Sequence, residues 1–192
     1  MVYLVLGLVV FLGVHSVRIV ADGWRARVVS SIGANAWKGL YSLVSLAGFV
    51  LIIWGFGQAR MQPMQLWSPP PGMRHVASLL TLLAFVLLAA AYVPGNGIKA
   101  RVHHPMVLGV KVWALAYLLA NGNLAHVVLF GAFLVWAVLD FSSARRRDRA
   151  AGTVYPPGRP AATVVTVVSG AVAWAVFAMW LHGWWIGIRP IG

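Results

Sequence analysis

The chain has 192 residues, 61% hydrophobic and 9% charged, with a mean hydropathy of +0.84; soluble domains run near 45–50% apolar and about 25% charged, so a water-soluble globular protein is excluded. Fifteen Lys and Arg against three Asp and Glu would suggest nucleic acid in a soluble chain, but here most cations flank apolar stretches and read as topology signals and lipid-headgroup contacts, with no nucleic acid partner expected. The lack of cysteine removes disulfides, thiolate metal ligands and cysteine nucleophiles, which leaves the six histidines as the main candidates for metal ligation or proton transfer.

A transmembrane helix needs about 20 mostly apolar residues. Six stretches approach that length, at about 2–20, 37–57, 76–93, 105–120, 123–141 and 163–188. The first lacks a basic leader and a small-residue cleavage site, so it reads as a retained helix and not as a signal peptide. Breaks between stretches carry turn chemistry: "WSPPPGMR" before the third, "VPGNG" after it, "NGN" between the fourth and fifth, and "YPPGRP" before the sixth. No internal repeat is visible. The expected fold is all-α, a polytopic transmembrane bundle of about six helices forming one integral membrane domain over residues 1–192.

Charge placement orients the bundle. Arg18, Arg25, Arg27 and Lys38 surround the first connection, Lys99 and Arg101 lie in the third, and "ARRRDR" (Ala144 to Arg149) with Arg159 lies in the fifth. The second connection carries only Arg60 and Arg74, the fourth none, and Arg189 closes the tail. Odd connections are therefore expected in the cytoplasm and both termini outside. "ARRRDR" reads as part of that signal.

This topology sorts the histidines. His15 near the end of the first helix shares a depth with His103 and His104 at the start of the fourth, while His75, His126 and His182 gather toward the other face. In "HHP", Pro105 suits the first turn of a helix, where its missing N–H costs nothing, which puts His104 near the N-cap. Arg18 follows His15 at i+3 and Asp22 at i+7, and Lys111 follows His104 at i+7. A lysine two turns into hydrocarbon is costly and should face protein, water or a bound anion.

Two imidazoles at one depth on neighbouring helices, drawn from His15, His103 and His104, suit axial ligation of a b-type haem, with Arg18, Arg101 and Lys111 as candidate partners of the propionates. Asp22 is then a candidate hydrogen-bond acceptor beside the site. Interfacial or capping roles account for the same histidines. His75, His126 and His182 form a possible second site for a haem or a transition metal, or are separate interfacial residues. Three carboxylates and no glutamate disfavour zinc or di-iron. A serine nucleophile fails because Ser16 neighbours His15 and their side chains diverge on a helix, and "VPGNGIK" lacks the spacing of a phosphate loop.

The segments "FLGVHSVRIVADGWR", "WKGLYSLVSLAGFVLIIWGFGQAR", "LWSPPPGMRH", "LLAAAYVPGNGIKARVHHPMVLGVKVWALAYLLANG" and "ARRRDRAAG" resemble, in order and over essentially the whole chain, the NnrU family of bacterial membrane proteins. That resemblance implies an inner-membrane, multi-pass protein with periplasmic termini, acting as an accessory or sensory factor in nitrite and nitric oxide metabolism, with nitric oxide as a possible small partner. The family is also similar to plant 15-cis-zeta-carotene isomerase, through "HS" of the first helix and an R-H-P-x-x-x-G stretch. Carried over, the isomerase's haem ligands fall on His15 and His104. The alternative function is thus a haem-dependent cis–trans isomerase of a carotenoid-like polyene, a hydrophobic small molecule. His103 stands where the isomerase motif has arginine, so it competes with His104 as ligand, and Tyr117 replaces a histidine of the relatives' W-x-L-A-H pattern. A cysteine ligand switch is impossible in this chain. "HHPMVLG" also resembles, faintly, a stretch of small membrane methyltransferases, but "HGWWIGIRPIG" lacks their acidic residues.

Overall fold

The computed structural model describes residues 1–187; Arg189 and the last residue of the sixth stretch lie outside that range. Among the described residues the regular structure is helical: α1 (Val2–Val20), α2 (Asp22–Ile32), α3 (Ala34–Arg60), α4 (Met73–Tyr92), α5 (Gly97–Val102), α6 (Pro105–Ala120), α7 (Leu124–Ala151) and α8 (Pro160–Val176), then a π segment (Phe177–Leu181) and α9 (His182–Ile186). Five helical runs are long and apolar enough to cross a membrane: α1, α3, α4, α7 and Pro160–Trp184. The protein is an all-α, polytopic membrane protein.

The first connection and the second and fifth stretches differ most from the sequence expectation. The first connection contains a helix, α2, because Ala21 leaves helical geometry at φ −142° and Gly33 at φ 84° ends the next 11 residues. The second stretch is lengthened at both ends into the 27-residue α3. The fourth stretch keeps its expected bounds as α6, whose 16 residues span about 24 Å at 1.5 Å per residue, short of a core about 30 Å thick. The fifth runs to Ala151 instead of ending near residue 141. Alanine and arginine are good helix formers, so nothing stops the chain until Gly152 at φ 60°.

The chain divides into two compact units. The first comprises Met1–Ser68 and Gly122–Asp140. Here α1 packs on α3 at very short range. A Cβ on Gly48 would lie 2.7 Å from the Phe11 backbone nitrogen, and one on Gly55 would strike the Leu4 backbone. Small residues let helices approach in this way where hydrocarbon supplies no hydrophobic drive. Leu4, Leu8 and Ile52 fill the contact, while Leu43 and Ile53 on the same α3 stay outside, as a lipid-facing surface requires. The loop after α3 is held by Leu66 N–H to Gly122 C=O (2.8 Å) and Leu124 N–H to Met64 C=O (2.9 Å).

The second unit comprises Pro69–Asn121 and the chain from Phe141 onward. Within it, α4 contacts both α6 and α8. Gly170 of α8 sits against the backbone of Val86, and Gly109 of α6 against the Ala84 carbonyl. Asn96, 2% exposed, caps α5 by accepting from Lys99 N–H (2.8 Å) and donates from Nδ2 to the Ala90 (2.9 Å) and Val93 (2.6 Å) carbonyls. The "YPPGRP" loop and the first turn of α8 dock on this turn through Arg159 N–H to Gly95 C=O (2.8 Å) and Gly97 N–H to Thr163 Oγ1 (2.8 Å). The third and fifth connections therefore meet.

Candidate functional site

The "HHP" segment occupies a sharp corner between α5 and α6. His104 N–H donates to Val102 C=O at 2.8 Å, closing a γ-turn centred on His103, whose φ of 65° is the one positive value at a non-glycine among the described residues. Such turns are strained and rare, and strain of this kind concentrates at functional positions. His104 is the N-cap residue of α6 with Pro105 at its first position, as the sequence implied.

The corner is held from α7 by two residues on one face of its arginine-rich end. Arg145 donates from Nη1 to His103 Nδ1 at 2.8 Å. Arginine can only donate, so Nδ1 of His103 carries the lone pair and Nε2 the proton. His104 donates from Nε2 to Asp148 Oδ2 at 2.8 Å. Tyr155 donates from its hydroxyl to the same oxygen at 2.9 Å and lies flat on His103, with centroids 4.1 Å apart and planes 5° apart. Partial burial, then the adjacent Asp148 carboxylate, raise Tyr155 above the usual phenol range, which keeps it a neutral donor. A cavity of about 300 Å³ opens here, lined by Lys99, His103, His104 and Tyr155 with Ala91, Pro105, Met106 and Val107.

His15 belongs to the first unit. Its Nδ1 lies 2.7 Å from the Phe11 carbonyl; a carbonyl only accepts, so Nδ1 bears the proton and Nε2 presents a lone pair. The ring stacks on Phe11 (4.2 Å) and meets Tyr41 (5.2 Å) and the edge of Trp136 (6.0 Å). Trp136 Nε1 is buried with no acceptor. A histidine ligating a metal characteristically gives its other N–H to a carbonyl or carboxylate. Both His15 and His104 meet that condition, His15 leaving Nε2 for a metal and His104 leaving Nδ1.

The other candidates each have their own surroundings. Asp22 is the first residue of α2 and so is not part of a continuous stripe on α1; it lies 3.7 Å from Arg18 and 3.8 Å from Arg25. Lys111 sits over the Phe141 ring at 4.9 Å, an answer to its depth that involves protein. Arg101 is exposed on α5. Of the possible second site, His75 is exposed in the first turn of α4, His126 packs against Phe56 and Phe130, and His182 lies 3.1 Å from the Tyr117 hydroxyl. Among the described residues no group of three or more His, Cys, Asp or Glu is placed to hold a metal ion.

Sequence reading missed Arg145 and Asp148 as site residues. Their i, i+3 spacing puts both on one helical face, and Asp148 is one of three carboxylates in the chain. The signal was present once "ARRRDR" is read as helix. Tyr155 and Lys99 had no comparable signal.

The family model described as NnrU protein matches residues 3–190. No curated protein and no solved structure matches the chain.

Proposed function

The chain belongs to the NnrU family, and on that premise we propose that it binds b-type haem through His15 and His104 and serves as an accessory or sensory factor in nitrite and nitric oxide metabolism at the bacterial inner membrane. The observation that carries the reading is the state of His15. The Phe11 carbonyl fixes its tautomer at 2.7 Å, so Nε2 is delivered as a ligand atom among the Phe11, Tyr41 and Trp136 rings. A haem so held supplies an iron whose reduced form takes up small diatomic gases. The protein's own part is orientation: Phe11 sets the His15 ring, Asp148 sets the His104 ring, and Trp136 brings an indole N–H that lacks an acceptor.

The test is the ultraviolet–visible spectrum of detergent-purified protein, oxidised and reduced, expressed with ample haem. We expect a Soret band with sharp reduced α and β bands, lost in His15→Ala and altered in His104→Ala. A spectrum without a Soret band in the wild type refutes the proposal and returns both histidines to structural roles.

A further inference from the structure

We propose that the cavity at the α5–α6 corner is a binding site for a phosphate-type oxyanion, taken either as the headgroup of an anionic lipid or as free phosphate. The proposal does not depend on the haem reading, because its donors are neither His15 nor His104.

The cavity wall is mostly apolar, but among the described residues it carries a lysine, N–H donors and no carboxylate. His103 contributes Nε2–H, because its Nδ1 is committed to accepting from Arg145. Lys99 donates one proton to the Ala91 carbonyl at 3.3 Å, which leaves two of its three. The first intrahelical bond of α6 is Leu108 N–H to His104 C=O, 3.1 Å; Pro105 has no N–H, so Met106 and Val107, both lining the cavity, open the helix with N–H groups that lack an i−4 acceptor. No carboxylate is among the described lining residues. The nearby Asp148 already receives two hydrogen bonds on one oxygen, from His104 and Tyr155.

The strain at His103 points the same way. A glycine would take φ 65° without penalty, yet the position carries an imidazole clamped between Arg145 and the Tyr155 ring. The clamp holds one N–H in a fixed place. At about 300 Å³ the cavity is at the small end of ligand sites, with room for a tetrahedral anion. Lys99 is exposed, so access from the membrane–water boundary is open.

The experiment is calorimetric titration of the full-length, detergent-purified protein with inorganic phosphate and, separately, with short-chain phosphatidic acid, using short-chain diacylglycerol as the phosphate-free comparison. The variants are Lys99→Ala, His103→Gly, which keeps the turn, and Lys38→Ala, an exposed lysine of the first unit. Saturable phosphate binding weakened about tenfold by each of the first two, the size of a lost charged hydrogen bond, and unchanged by Lys38→Ala is the expected result. Tighter binding of phosphatidic acid than of phosphate identifies a lipid headgroup as the source; equal or weaker binding identifies the free anion. Absence of saturable binding by either probe overturns the proposal, as does binding that Lys38→Ala weakens as much as Lys99→Ala or that neither site variant changes. The haem spectrum of the same samples reports separately on the iron site.

Discussion

Replacing Gly48 by alanine tests whether the α1–α3 contact governs the first unit. The added Cβ would lie 2.7 Å from the Phe11 nitrogen and 3.0 Å from its Cα, against the 3.4 Å where ordinary contact begins. The shortfall of 0.7 Å must be met by moving backbone, since no flexible side chain stands between the helices at that point. Overpacking of this kind costs about 1–3 kcal/mol. Alanine also favours helix over glycine by about 1 kcal/mol, so the measurement needs a partner in which only that second effect operates. Gly39 supplies it: it lies on the same helix with nothing within 4 Å of its added Cβ. Gly48→Ala should therefore unfold about 1–3 kcal/mol more easily than Gly39→Ala, measured by denaturant titration in mixed micelles followed by tryptophan fluorescence. Because the displaced backbone belongs to Phe11, whose carbonyl holds His15, Gly48→Ala should also perturb any haem spectrum while Gly39→Ala leaves it intact. Equal stability of the two variants would refute the argument that close backbone approach, and not side-chain burial, sets this contact.

Two further outcomes are expected. Asn96→Ala should destabilise the second unit by about 2–4 kcal/mol, the sum of a lost helix cap and two carbonyls deprived of a buried donor; melting within about 0.5 kcal/mol of wild type would show that water replaces the amide. The positive-inside pattern further leads us to propose that the α7–α8 connection is cytoplasmic and the α3–α4 connection periplasmic. Since the chain has no cysteine, a single cysteine at Thr153 or at Met64 gives an unambiguous probe: an impermeant maleimide added to whole cells should label the second and spare the first, and the reverse pattern would invert the topology.

The composition and the spacing of apolar runs were sufficient to establish an all-helical membrane protein. Hydrocarbon demands long apolar helices whatever their partners, so that conclusion needs no tertiary contact. The proline and the paired histidines of "HHP" likewise marked a helix start, and the structure has His104 as N-cap there. The family was legible too, because polar motifs in a fixed order survive where hydrophobicity is generic.

What α7 does could not be read in the same way. "ARRRDR" favours helix by its own residues, but only the fold shows that its Arg145–Asp148 face meets the His103–His104 corner. Which nitrogen each histidine commits is also a tertiary outcome. His15 is set by a carbonyl one turn away on its own helix, but His103 and His104 are set by residues more than 40 positions distant. A sequence lists donors and acceptors, but only the fold decides which of them meet. That pairing fixes which imidazole nitrogens remain to hold a ligand.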